Sequence, residues 1–395
     1  MKILVLGCGP AGVVTALGLR ALGYDVSVIG EVRPYPVTEG ISARVYKALA
    51  DSKLIHALGQ VSEPVSRYAL WNGESRSANT EYLIDRPAFD RALLADLEEH
   101  GVQLINGRVQ GRPQRDEHWQ VDVEHGERRS LLEADFIVEA RGRAASLPRQ
   151  GRMRGPETVS VGVNWRTVEK QAFSAVACVE DGWLWLARRP DGNLFTQFTT
   201  RSGRPGLSPK RKIVPLVDEL LAGLHIADTD FSRREPVGEP FARSSTAILP
   251  QASTDNGVLR VGDAAMAVDP LSGNGIFQSL SSALAAPAVI NTVIQRPEDA
   301  EMALSFYGDR IRHLFFRFAR IGRDFYAQEG RWEDHVFWRE RRQWPDKVPA
   351  HSDTDRVEEA VRPVINHGFI EQKTVIVSAD QPLGLARVAG TGEGD

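Results

Sequence analysis

Cysteine is scarce in this sequence. Its 395 residues hold only Cys8 and Cys178, too few for a disulfide framework or a cysteine zinc site, so a reducing, cytoplasmic setting is expected. No charge of one sign dominates either. Lys and Arg total 48 against 52 Asp and Glu, a net charge of -4, which offers no whole-chain attraction to nucleic acid or to an anionic membrane. No stretch reaches the roughly 18 uninterrupted apolar residues of a membrane helix. The opening run Ile3-Leu4-Val5-Leu6 stops at Gly7, too soon for a signal peptide. The nine histidines show no H-x-x-x-H or H-E-x-x-H spacing, so no metal is expected. No Ser-His-Asp arrangement stands out, no catalytic acid or base can be assigned, and internal repeats and low-complexity tracts are absent.

What is present is an ordinary globular composition, 42% apolar and 25% charged, with clear local patterns. Residues 2–6 read as a short buried strand, Pro10–Leu22 as a helix ending near Gly23, and Asp25–Ile29 as a second strand. This unit opens a doubly wound fold. Apolar spacing predicts helices over Ile41–Leu58 and Arg86–Glu99, and inner strands at Val102–Ile105 and Phe136–Val138. After about residue 155 the texture changes. Segments 158–166, 174–180, 183–188 and 194–200 are short, rich in Val, Trp, Phe and Thr, and separated by turn signals, which predicts an antiparallel sheet. A helix near 212–224 follows, then Val258–Val261 returns as a strand of the first domain. Helices resume at 276–294 and 300–327. Thr374–Val377 reads as one strand and Gly390–Asp395 as a tail.

The first motif with chemical content is Gly7-Cys8-Gly9-Pro10-Ala11-Gly12. Gly7 permits the tight turn out of the strand, Gly9 lets backbone approach a pyrophosphate, and Gly12 allows close helix–strand packing. The helix that starts at Pro10 and Ala11 offers free N–H groups and partial positive charge to the phosphates. An acidic residue about twenty positions on holds the ribose hydroxyls. Glu31 stands near that place, after Gly30, and either Glu31 or Arg33 is assigned to it.

A second motif lies far along the chain: Val261-Gly262-Asp263-Ala264-Ala265, then Asp269-Pro270-Leu271-Ser272-Gly273-Asn274-Gly275-Ile276. Here the chain closely resembles the FAD-dependent hydroxylase superfamily and its relatives, the flavin-dependent halogenases. The resemblance implies that Asp263 hydrogen-bonds the ribityl chain of FAD. It implies too that the helix start at Pro270, Gly273, Gly275 and Ile276 faces the flavin pyrimidine edge, where reduced flavin carries negative charge. Tyr82–Asp90 resembles the family's R-x-x-F-D helix start, which makes Arg86 a cofactor contact. Thr38–Ser42 matches the second FAD-contacting block and brings in Ser42. Phe136–Arg143 resembles the strand under the cofactor, with Arg141 where a small or acidic residue is common.

The resemblance implies an α/β fold with a Rossmann-type FAD-binding domain, an inserted antiparallel β-sheet substrate domain and C-terminal helices, as in aromatic hydroxylases. The implied partition is 1–155 and 256–296 for the FAD-binding domain, 156–255 for the substrate domain, and 297–395 for a C-terminal helical region and tail.

Within the superfamily, Gly182-Trp183-Leu184-Trp185 resembles the first half of the tryptophan-halogenase signature G-W-x-W-x-I-P. The second half is replaced by Leu186-Ala187-Arg188. Trp183 and Trp185 are thus candidate substrate-pocket residues, with core packing as the competing reading. The halogenase lysine that follows the second FAD block has no match: Lys47 and Lys53 sit on the helix straight after Ser42, and Leu54 to Arg86 holds none. Ile29–Glu31, Glu39–Ser42, Asp269–Ile276 and Phe325–Arg339 look similar to a third branch, the halogenase-like flavoproteins that mature tryptophylquinone cofactors. That branch implies an FAD-dependent monooxygenase that hydroxylates a tryptophan side chain of a peptide or protein through a flavin C4a-hydroperoxide. NAD(P)H or a separate flavin reductase would supply the electrons. The alternatives are a halogenase, a small-molecule dehydrogenase or reductase, and a flavin-stabilised chaperone. Arg317, Arg320 and Arg323 recur at three-residue spacing, so they share a helix face that is a candidate dock for an acidic partner.

Overall fold

A computed structural model describes residues 1–32, 36–145, 151–226, 229–230, 232–252, 254–255, 257–351, 357–378 and 381–385. The buried run of Lys2–Leu6 pairs in parallel with Asp25–Gly30 on one side and Phe136–Glu139 on the other. Gln103–Asn106, Val258–Arg260 and Thr254–Asp255 complete a six-stranded sheet. Such continuous apolar strands suit a sheet covered on both faces. The helices Pro10–Ala21, Arg86–Glu99 and Gly275–Gln295 cover one face, with Val5, Val28, Val138, Leu93 and Val289 in a single core. A three-stranded sheet of Arg108–Arg115, Trp119–His125 and Arg128–Ala134 covers the other, packing Val121 and Val123 on Leu4, Leu6 and Ile137.

The strands expected between 158 and 200 form as Thr158–Thr167, Phe173–Val179, Gly182–Arg188 and Asn193–Arg201, in one eight-stranded sheet. Four more strands join them, and the sequence patterns did not mark these. Thr38–Ile41, Val65–Trp71 and Glu74–Asp85 extend one side, although they belong to the span assigned wholly to the FAD-binding part. The long, mostly exposed strand Arg234–Ser244 forms the opposite edge, pairing with Thr158–Thr167. Residues 41–58 accordingly hold the end of a strand and two short helices, Ala43–Asp51 and Ile55–Leu58, in place of one long helix.

Gly275–Gln295 is long and apolar enough to cross a membrane by length and composition, with a mean hydropathy of 1.3. Its most apolar window is 72% buried inside the fold, so its apolar character serves the core. The last part of the chain is less helical than its pattern suggested. Beyond Ala300–Ala327 and Val336–Arg341, the strands Val357–Asn366, Phe369–Ser378 and Gln381–Leu385 form a sheet of their own. It docks on the long core helix where Ile370 N–H donates to Thr292 Oγ1 at 2.8 Å and Asn291 Nδ2 donates to Gly368 O at 2.8 Å. The tail expected at 390–395 lies outside the described residues.

Candidate functional site

Residues from both large sheets line one groove of about 840 Å³. At one end the glycine motif turns the chain from strand to helix. Gly7 has φ +118°, and a Cβ there would lie 2.4 Å from Ala140 O. A Cβ on Gly12 would lie 1.9 Å from Gly7 O. Gly7, Gly9, Pro10 and Ala11 line the groove, while Gly12 packs beneath them. Gly9 differs in kind: it precedes the helix with no side-chain cap, and a Cβ on it would meet nothing within 4 Å. The first N–H groups of this helix therefore face open space, as an anion site requires. Glu31 lines the groove beside them, its carboxylate 3.4 Å from Arg108. Gly30 has no room for a side chain, because a Cβ would sit 2.7 Å from Cys8 Sγ. The Cys8 backbone nitrogen, 2.8 Å from that Cβ, closes the position as well, so no acidic side chain fits there. Arg33 lies outside the described residues.

A second helix N-terminus opens on the same groove. Pro270, Gly275 and Ile276 line it, and Gly275–Gln295 starts at Asn274 without a side-chain cap. Gly273, at φ +62°, ends the turn Pro270–Ser272 and does not itself line the groove. Asp263 lines it, with Arg143 Nε 3.4 Å from its carboxylate. The turn is braced from behind. Asp269 Oδ1 accepts from Leu271 N–H at 2.9 Å and from the Tyr326 hydroxyl at 3.0 Å, and Trp183 Nε1 donates to Tyr326 Oη at 3.1 Å. Burial pushes the Asp269 carboxyl above the usual carboxylate range, against the pull of Arg341 and of these donated hydrogen bonds.

Arg86 also lines the groove and is 3% exposed. It donates to Glu39 at 2.8 Å and to Asp90 at 2.9 Å. Burial alone would lower its pKa, but the two carboxylates outweigh it and hold the guanidinium charged. Glu39, inside the second expected block, faces the groove; Ser42 of that block is exposed outside it, ahead of the helix Ala43–Asp51. Trp183 and Trp185 do not line the groove. Trp183 is buried among Cys178, Tyr326, Phe337 and Trp338, and Trp185 packs against Phe195. Trp185, half-buried, is the register partner of Gln197 and so shares the sheet face of that groove residue without lining the groove itself.

Ser160, Gln197, Phe241 and Arg243 from the second sheet line the groove and escaped the sequence reading, and Arg141 and Arg143 from the block Phe136–Arg143 line it too. Only Arg141 carried a signal, as a departure from its block. Its guanidinium binds Glu139 and donates to Gly111 O, which fixes the turn under the groove. Among the described residues one trio has metal-ligand proximity, His56, Asp96 and Glu99, away from the groove. Both Asp96 oxygens accept backbone N–H groups, from His56 at 2.9 Å and Ala57 at 3.0 Å, so this carboxylate caps a helix. Two of the three arginines on the long C-terminal helix bond within the chain. Arg320 grips Asp346 with two bonds of 3.0 and 2.9 Å, and Arg323 donates to Val348 O at 2.9 Å. Those two tie residues 346–348 to the helix, while Arg317 is half-buried on it.

No family profile matches the chain. Among solved structures, the peptidyl tryptophan dihydroxylase QhpG, essential for tryptophylquinone cofactor biogenesis, is 45% identical with a TM-score of 0.85. That match covers 97% of this chain and 88% of QhpG. The flavin-dependent halogenase CmlS shares the fold, at 17% identity and a TM-score of 0.79 over 98% of this chain and 86% of CmlS. Tryptophan 2-halogenase of Chondromyces crocatus is 24% identical over 369 residues, 85% of this chain and 70% of the relative.

Proposed function

Since the chain belongs to the halogenase-like FAD-dependent flavoproteins, the family of that dihydroxylase, we propose that it hydroxylates the indole ring of a tryptophan held in a peptide or protein. The observation that carries this reading is the groove with two uncapped helix N-termini, in a chain that follows a peptidyl tryptophan dihydroxylase almost end to end. The groove fits FAD: glycines leave a cradle that a side chain would fill, and the two helix starts offer donors to a ligand with anionic character at two places.

Reduced FAD, when bound, supplies the electrons that activate dioxygen for transfer of an oxygen atom to an electron-rich ring. The chain's own residues bind and orient. Gly9 and Ala11 would offer backbone N–H groups to the pyrophosphate, Gly7, whose own N–H donates to Ile29 O, and Pro10 shape the turn that exposes them, and Gly12 lets the helix lie close enough to do so. Glu31 would hold the ribose hydroxyls, and Asp263, with Arg143 beside it, would hold the ribityl chain. The helix start at Pro270, Gly275 and Ile276 would meet the pyrimidine edge, and the Asp269–Tyr326–Trp183 bonds hold that turn in place. Arg86 keeps its charge through Glu39 and Asp90 and shapes the wall between. Ser160, Gln197 and Phe241 form the opposite wall, where an indole would be oriented and water excluded. NAD(P)H or a separate reductase supplies electrons to the flavin. Two buried thiols outside any disulfide, Cys8 and Cys178, suit a reducing compartment.

Halogenation is the reading to be separated from this one. No lysine lines the groove among the described residues, and Lys47 is spent on Asp51 at the surface. Reduced holoenzyme given dioxygen, bromide and a tryptophan-containing peptide is expected to add oxygen to the peptide and no bromine. A brominated indole in the mass spectrum would overturn the assignment.

A further inference from the structure

We propose that the peptide substrate is held as an added β-strand on the free edge of Arg234–Ser244, beside the groove. This rests on the peptidyl reading above and says how such a substrate is gripped. Among the described residues the strand is the outermost of its sheet and pairs only with Thr158–Thr167. Its two halves differ. Toward its start it carries Pro236, Gly238 at φ +69° and Pro240, and the register breaks so that residues 238–240 face Val163 alone. Prolines and bulges are the devices that keep a sheet edge from pairing with a stray chain. They stop at Phe241. From there Phe241, Ala242, Arg243 and Ser244 pair regularly with Gly162, Val161, Ser160 and Val159, and Phe241, Arg243 and Ser244 line the groove.

The hydrogen-bond parity of this short run follows from one bond. Ser245 N–H donates to Thr158 O at 2.9 Å. Because an antiparallel ladder alternates, Arg243 and Phe241 also bond inward, and the N–H and C=O groups of Ala242 and Ser244 point outward. Among the described residues these outward groups have no backbone partner. The regular, unprotected part of the edge is therefore the part that meets the groove. Phe241 stacks on Phe195 with ring centroids 6.2 Å apart, and the Arg243 guanidinium lies 5.5 Å over the Phe241 ring. A strand added antiparallel would place the side chain opposite Arg243 on that same face, about 5 Å from its neighbour. That side chain enters the groove, while main-chain bonds to Ala242 and Ser244 hold the peptide with little regard to its sequence.

The probe is a fluorescein-labelled seven-residue peptide with a central tryptophan flanked by threonine and valine, titrated against holoenzyme by anisotropy. In the antiparallel arrangement the tryptophan N–H points away from the edge and those of its two neighbours point toward it. N-methylation of the two neighbours is expected to weaken binding about tenfold or more, and N-methylation of the tryptophan to leave it unchanged. Equal affinities, the reverse order, or no binding of the unmethylated peptide overturns the proposal. Ala242→Pro removes only an outward N–H and is expected to weaken the unmethylated peptide by a similar factor with full flavin content. An unchanged affinity for that variant also overturns it. Mass analysis of the same mixtures keeps the two ideas apart. A peptide oxygenated equally by wild type and Ala242→Pro would sink the edge and spare the hydroxylation. A peptide bound edge-on that never gains oxygen would do the opposite.

Discussion

Gly9→Val is expected to give a protein that folds like the wild type but purifies without flavin. Gly9 has φ -77° and ψ 179°, extended backbone that valine adopts readily, and a Cβ there would touch nothing within 4 Å. The apo fold therefore has no reason to object. The same open space is where the helix N-terminus would meet the pyrophosphate, and two methyl groups would stand in it. Affinity for FAD should fall on the order of tenfold to a hundredfold, the scale of an overpacked contact. The neighbouring glycines give the control. At Gly7 the positive φ and Ala140 O refuse a side chain, and at Gly12 the obstacle is Gly7 O at 1.9 Å. Gly12→Val should accordingly lose the fold itself. Visible flavin absorbance read beside the circular dichroism of each variant checks this, and full flavin content in Gly9→Val would remove the loop from the cofactor site.

Arg86→Leu is expected to cost the apo-protein about 3–5 kcal/mol, because it strips two carboxylates of the cation they share inside the fold. Asp90 is 4% exposed and bonds Arg86 from the next turn of the same helix, while Glu39 reaches it from the strand Thr38–Ile41. Urea unfolding of both proteins measures the loss, and a deficit below about 1 kcal/mol would show the triplet to be unimportant to the fold.

What the sequence disclosed was what the backbone does locally. The Gly7–Gly12 motif and the block from Asp263 to Ile276 are contiguous, and a strand followed by glycines and a helix is enough to place N–H groups toward a ligand. The apolar strands between 158 and 201 were legible for the same reason, since buried alternation shows in composition. Arg234–Ser244 was not legible: with Pro236, Gly238 and Pro240 it reads as a loop, and only the neighbouring strand Thr158–Thr167 makes it a strand. Glu74–Asp85 is polar and exposed for most of its length, so no apolar face announces it.

The groove wall from the second sheet brings together Ser160, Gln197 and Phe241, residues whose proximity is set by register and leaves no local pattern. Trp183 and Trp185 mark the limit of pattern reading. Aromatic alternation looks the same whether the rings line a site or fill a core, and here Trp183 fills a core while the half-buried Trp185 packs against two. The arginines of the C-terminal helix teach a related lesson. Periodicity places Arg320 and Arg323 on one face, yet says nothing of Asp346 waiting opposite them.

The most direct test of the central claim is the fate of oxygen. Holoenzyme, reductant and a tryptophan-containing peptide should be incubated under isotopically heavy dioxygen in ordinary water, and the peptide fragmented in a mass spectrometer. The account predicts one or two heavy oxygen atoms, localised to the indole ring. Oxygen drawn from water, or reductant consumed with the indole left unchanged, would contradict it.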